Sequence, residues 1–241
     1  MKIKGRTKKI ILICVSIALL AALIWGVIYL FCFYIPEKQE EEELQRQVKE
    51  YYENKLEAYE KENNERAPFE VDIAFLGDSL TDGYNLSAYY PQYVTSNRGI
   101  GGETTYGLKE RLKVSVYDLE PKAVVMLIGA NNMDTMLDDY EDILIGLKDN
   151  LPETKIILVS LTSMGGEWGR KNETAAYNNV IIKKLAEKYG YTFVDMYSPL
   201  LNVETGEIYE QYTTDGGHLT AEGYRVFTDT LTPVIEEALN K

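Results

Sequence analysis

Apolar side chains fall into three patterns along this chain, and each predicts a different kind of structure. From Ile10 to Ile35 they form one run of 26 residues without a charge, about 39 Å long as a helix at roughly 1.5 Å per residue. That length spans a hydrocarbon core of about 30 Å with some tilt. From Glu37 to Arg66 the chain is dominated by Glu, Lys, Gln and Asn, with apolar positions Leu44, Val48, Tyr51, Tyr52, Leu56 and Tyr59 at helical spacing. Good helix formers carrying one narrow apolar stripe predict a charged helical stalk over 36–67. It stands either as a monomeric, solvated helix or as half of a short coiled coil. Beyond Pro68, short and nearly continuous apolar runs alternate with longer amphipathic ones.

The short runs are Val71–Leu76, Lys122–Ile128, Lys155–Leu161 and Tyr191–Val194, with a weaker one near Tyr93–Asn97. They suit strands buried on both faces. Helices are predicted over Thr104–Leu119, Asp138–Asn150, Asn172–Tyr189 and Thr220–Leu239. Asp138, Asp139, Glu141 and Asp142 look like a metal cluster, but acids in the first turn of a helix are what its dipole favours. Alternating strands and helices predict an α/β domain over 68–241, with about five parallel strands in a sheet covered on both faces. Ligand chemistry in such a sheet belongs at the carboxyl ends of the strands.

Charge sharpens this division. Residues 1–9 hold five basic groups (Lys2, Lys4, Arg6, Lys8 and Lys9) and no acid, whereas the whole chain has a net charge of -13. The part after the span is therefore strongly acidic, and nucleic acid is excluded as a partner. A basic tail ahead of a long span predicts an uncleaved signal anchor over 10–35 with residues 1–9 cytoplasmic. A cleaved signal peptide has a shorter apolar region, of about 7–15 residues, and an A-x-A-like end. Trp25, Tyr29, Phe31, Phe33 and Tyr34 gather toward the far end as an interfacial belt, which puts the acidic domain outside the cytoplasm. Both cysteines, Cys14 and Cys32, lie in the span, so the domain has no disulfide, no thiolate metal site and no cysteine nucleophile. Its one histidine, His218, excludes a His-rich metal centre.

The first strand runs into Gly77-Asp78-Ser79-Leu80-Thr81, which puts Ser79 just past a strand's carboxyl end. A serine hydroxyl is a weak nucleophile and needs a base, normally a histidine oriented by a carboxylate. His218 lies in Thr214-Asp215-Gly216-Gly217-His218, ahead of the last helix, where Asp215 can fold back to accept from the imidazole. Two further loops could supply donors to an oxyanion. One is Asn97-Arg98-Gly99-Ile100-Gly101-Gly102-Glu103-Thr104, which does not fit G-x-G-x-x-G; the other is Gly129-Ala130-Asn131-Asn132.

Together these four stretches resemble the SGNH, or GDSL, hydrolases, a family of esterases and lipases. The resemblance implies a three-layer, flavodoxin-like fold. It makes Ser79 the nucleophile and one oxyanion donor, Gly102 and Asn131 the other donors, and Asp215 and His218 the remaining catalytic pair. The family's third block usually reads Gly-x-Asn-Asp, and here Asn132 stands in place of that aspartate. No metal or organic cofactor is implied, and activity should fall as the imidazole is protonated.

Asp78, Tyr84, Asn85, Met164, Trp168 and Arg170 are the expected pocket residues, Trp168 stacking on a sugar ring or covering an acyl chain. An acidic domain outside the membrane, without a long apolar lid, suits an O-acetylated glycan as substrate. Lysophospholipid or thioester hydrolysis is the alternative, and a catalytically silent binding module is a third. Two N-x-S/T sequons, at Asn85 and Asn172, complete the sequence features.

Overall fold

The computed structural model describes residues 2–239, with side chains from Lys8 onward. The side chains of Lys2, Lys4 and Arg6, part of the basic tail, lie outside the described residues. The chain divides into two compact units, Met1–Asn54 and Lys55–Lys241.

The described residues of the first unit are helical: α1 (Lys2–Tyr29), a single π-helical turn (Leu30–Tyr34) and the start of α2 (Ile35–Glu65). Apolar side chains from Ile10 to Tyr34 are exposed on every side of this helix. Such a surface belongs in a membrane or inside a larger assembly. Among the described residues it is the one helix long and apolar enough to cross a membrane, by length and composition. Trp25 stacks on Tyr29, and Tyr29 on Phe33, each pair with ring centroids 6.1 Å apart.

The second unit holds the α/β domain. Its strands are β1 (Ile73–Gly77), β2 (Thr95–Gly99), β3 (Ala123–Leu127), β4 (Lys155–Val159) and β5 (Thr192–Val194). All neighbours pair in parallel, in the order β2-β1-β3-β4-β5. Every residue of β1 and β3 is buried, as the continuous apolar runs required. The principal helices are α5 (Thr105–Glu110), α6 (Leu137–Asn150), α8 (Asn172–Tyr189) and α10 (Ala221–Ala238), joined by the short α3 (Ser79–Asp82), α4 (Leu86–Tyr89), α7 (Gly166–Gly169) and α9 (Tyr197–Leu200). The sheet order changes direction around β1, so the loops after β1, β2 and β3 open toward one crevice.

Two details differ from the periodicity. The helix expected over Thr104–Leu119 is broken, with α5 ending at Glu110, Arg111 capping it, and a π-helical turn following over Lys113–Tyr117. The Arg111 side chain, 2% exposed, is drawn into the interior at the break. A two-stranded hairpin, Leu201–Asn202 against Glu207–Ile208, is too short to leave a periodic signal.

The last turns of α2 pack as part of this unit. Tyr59 is buried and its hydroxyl donates to Gly99 O at 2.7 Å, while Glu62 and Asn63 both bind the guanidinium of Arg98, which is fully buried. Arg98 also lies over the Tyr59 ring, 4.7 Å from its centroid.

Candidate active site

Ser79 is the first residue of α3, immediately after β1 and the capping residue Asp78, whose Oδ1 accepts from Leu80 N at 3.1 Å. The turn is tight. A Cβ on Gly77 would lie 2.2 Å from Leu127 O on the adjacent strand, so glycine is required there.

The imidazole is delivered from the opposite side by the loop between Thr213 and Leu219, which form an isolated bridge. Within it Asp215 Oδ1 accepts from the backbone N–H groups of Gly217 and His218 at 2.9 and 2.8 Å. Asp215 Oδ2 is 2.7 Å from His218 Nδ1, and His218 Nε2 is 3.0 Å from Ser79 Oγ. The His218 amide, followed by its ring, holds the Asp215 carboxyl down at about 2. With Asp215 ionised, Nδ1 carries the proton and Nε2 faces the hydroxyl as an acceptor. This relay can accept the serine proton as the oxygen attacks an electrophile.

Asp78 behaves differently. It is 1% exposed, and burial pushes its carboxyl up to about 6 against the opposing pull of the Leu80 amide and of His218.

The loops after β2 and β3 are fastened together beside Ser79. Asn131 Nδ2 donates to Glu103 O at 2.8 Å, which leaves its second amide hydrogen for another acceptor. Asn132 Oδ1 accepts from Thr105 N at 3.2 Å and its Nδ2 donates to Thr105 Oγ1 at 2.9 Å, so the amide in place of the usual aspartate is fully engaged. Gly102 turns the chain at φ +77° and is exposed.

A cavity of about 40 Å³ adjoins Ser79 and His218, walled by Asp78, Asn131, Thr162, Met164 and Trp168. Of the expected pocket residues, Asp78, Met164 and Trp168 are therefore on it, and Gly102 is not among its walls. Arg170 lies on a neighbouring cleft that Asn131 and Trp168 also line. Tyr84 is not among the walls of either and sits in the core: it is 4% exposed, stacked on Tyr224 at 4.9 Å, with its hydroxyl 2.5 Å from Thr228 Oγ1. A large aromatic ring whose hydroxyl finds a buried partner is stabilised in the core. Asn85 caps α4. Asn172 is buried and hydrogen-bonds Met164 through both its amide oxygen and its amide nitrogen, which makes it a brace for the cavity wall.

The fastener that holds these parts was not singled out from sequence. Arg111 donates to Glu103 Oε2 at 2.8 Å, to Arg98 O at 3.0 Å and to Gly77 O at 3.0 Å, linking the ends of β1 and β2 to the Glu103 loop. Its signal was a charged residue and Ser115 set beside the apolar positions Leu108, Leu112 and Val116 of one helical run.

Several solved structures share this architecture. A GDSL-like lipase from Bacteroides thetaiotaomicron is 27% identical, with 76% of this chain and 98% of that chain covered and a TM-score of 0.67. A Streptococcus pneumoniae protein provisionally described as a platelet activating factor is 25% identical, with coverage of 82% and 99% and a TM-score of 0.73. An acetyl xylan esterase from Geobacillus stearothermophilus shares the fold at 22% identity, with coverage of 70% and 95% and a TM-score of 0.58. No curated protein matches the chain. The GDSL-like lipase/acylhydrolase family matches residues 75–226, more than half of the sequence, from within β1 through the His218 loop. On this match, and on a five-stranded parallel α/β sheet like that of its solved relatives, the chain belongs to the GDSL-like lipase/acylhydrolase family of ester-hydrolysing enzymes.

Proposed function

We propose that this protein is a membrane-anchored serine esterase that removes small acyl groups, acetyl above all, from carbohydrate outside the cytoplasm. The observation that carries the reading is the relay from Asp215 Oδ2 through His218 to Ser79 Oγ, at 2.7 and 3.0 Å, opening on a cavity of about 40 Å³.

Ser79 Oγ attacks the ester carbonyl while His218 Nε2 takes its proton. The oxyanion is held by Ser79 N–H, Gly102 N–H and the free amide hydrogen of Asn131. Collapse of the tetrahedral intermediate breaks the C–O bond, and His218 returns the proton to the departing alcohol. A water molecule, deprotonated by His218, then attacks the acyl-enzyme and releases the acid and Ser79.

Cavity size supports the acyl preference. At about 10–15 Å³ per water-sized group, the space beside Ser79 takes about three such groups, which is the size of an acetyl. An octanoyl chain would have to lie elsewhere. The fold is compatible with such a substrate, since an acetyl xylan esterase uses it. The anchor reading rests on the exposed apolar helix after Lys8 and Lys9, and the basic side favours a cytoplasmic N-terminus.

The test is hydrolysis of p-nitrophenyl acetate, butyrate and octanoate by the fragment from Lys55 onward, beside Ser79→Ala. The expected result is acetate turnover that falls at least 10³-fold in the variant and declines with chain length. Equal rates for Ser79→Ala and the parent would remove Ser79 as nucleophile, and a preference for octanoate would move the substrate to lipid.

A further inference from the structure

The cavity beside Ser79 is not closed on itself. Ala130, Asn131 and Trp168 line both it and a second cleft of about 480 Å³ between the Asn131–Thr135 and Glu167–Lys171 loops. An ester bound at Ser79 carries two substituents that diverge from its carbonyl carbon. If the smaller cavity takes the acyl group, the alcohol must leave through the larger one, whose volume falls in the usual range for small-molecule sites of about 300–1,000 Å³.

Resting on the serine-esterase reading, we infer that this cleft is the leaving-group subsite and that it takes a sugar ring, with Trp168, Glu167 and Arg170 as the residues that select it. Four charged side chains line the cleft. Lys171 pairs with Asp134, whereas Glu167 and Arg170 have no side-chain ion pair or hydrogen bond among the described residues. Both are exposed, and a lipid chain seated beside them would offer the carboxylate and the guanidinium no hydrogen bond. A polyol satisfies both, since each hydroxyl donates to a carboxylate and accepts from a guanidinium. The aromatic component is Trp168, 40% exposed and set against the backbone of Gly217, beside His218. An indole ring partly exposed beside a cleft lined with hydrogen-bonding groups suits the apolar face of a sugar ring.

The selecting loop is tied to the histidine loop. Gly165 N donates to Gly216 O at 2.9 Å, and a Cβ on Gly216, which has φ +91°, would lie 2.2 Å from Gly165 O. Trp168 and His218 therefore hold a fixed relation, and the ring docked on one is delivered to the other.

The experiment compares two acetates that differ only in their alcohol, ethyl acetate and methyl 6-O-acetyl-glucopyranoside, on the full-length protein in detergent and on Trp168→Ala, Trp168→Phe and Arg170→Met. The reading is the ratio of kcat/KM for the glycoside to that for ethyl acetate. It is expected to fall at least tenfold in Trp168→Ala and at least threefold in Arg170→Met, and to recover most of the loss in Trp168→Phe. An unchanged ratio in both truncations overturns the subsite, even if absolute rates fall. A parent enzyme that hydrolyses ethyl acetate but not the glycoside overturns it while leaving the esterase intact. If neither acetate turns over and Ser79 fails to react with a fluorophosphonate probe, the esterase reading falls, and this inference with it.

Discussion

Arg111 Nη2 lies 3.0 Å from Gly77 O, so a buried guanidinium holds the end of the strand that presents Ser79. The same side chain pairs with Glu103, which is itself buried and whose carbonyl oxygen receives the Asn131 amide. Removing one member of a buried ion pair leaves the other charge without a partner, at a cost of about 3–5 kcal/mol. Arg111→Met is expected to lose that much stability in urea unfolding. The double variant Arg111→Met, Glu103→Leu should regain part of it, because no charge is then stranded. A single variant within 1 kcal/mol of the parent would mean that Arg111 is not a fastener.

Asp78 gives the stability profile a definite sign. Its carboxyl is raised to about 6 by burial, from 3.8. The neutral form is the one the fold favours, so this contribution is complete below about 3.8 and is lost as pH rises through about 6. Asp215 works in the opposite sense: with its carboxyl held at about 2, its contribution is present above about 3.8 and disappears only as pH falls through about 2. Asp78→Asn keeps an acceptor for Leu80 N and removes the charge. It is expected to raise stability above pH 6 by up to about 3 kcal/mol, at about 1.4 kcal/mol per pKa unit, and to flatten the profile between pH 4 and 6. Thermal unfolding of both proteins from pH 4 to 8 decides it, and a variant less stable at pH 8 would contradict the burial argument.

Much of this site was legible because its chemistry is local in sequence. Ser79 follows an apolar run that suits a buried strand, and Asp215 lies three residues from His218, so each piece announced its position before the sheet brought the two together. Arg98, Arg111 and Tyr84 were not legible. Their partners lie far off in the chain: Arg98 meets Glu62, Arg111 meets Gly77, and Tyr84 meets Thr228. A polar residue buried through such contacts looks, in sequence, like any exposed one. The same holds for the end of α2, whose charged composition read as solvated although Glu62 faces a buried arginine.

The Asn132 substitution is expected to be nearly silent. Its amide oxygen accepts from Thr105 N, and its amide nitrogen donates to Thr105 Oγ1. An aspartate can keep the first bond and accept the threonine hydroxyl proton in the second, because a hydroxyl donates as readily as it accepts. Asn132→Asp should therefore change kcat/KM for p-nitrophenyl acetate by less than about threefold. Asn132→Leu, which leaves the buried Thr105 groups unpaired, should cost about 1–3 kcal/mol of stability. A large activity loss in Asn132→Asp would assign the amide a role in the reaction itself.

Arg98 sets the shortest stable form of the domain. It is fully buried, and Glu62 and Asn63, each 3.0 Å from Arg98 Nη2, come from the last turns of α2, as does the Tyr59 ring beneath the guanidinium. A fragment beginning at Pro68 deletes all three and leaves the cation in the interior with Ser96 and one carbonyl, that of Val114. It is expected to be less stable than the fragment beginning at Lys55 by about 3–5 kcal/mol, the usual cost of stranding a buried charge. Simple loss of helix packing would give the same sign, so the control is Arg98→Met in the shorter fragment. If the stranded charge is the cause, that substitution raises stability there and lowers it in the longer fragment, where it strands Glu62 instead. The same sign in both fragments would mean that the end of α2 acts through packing alone.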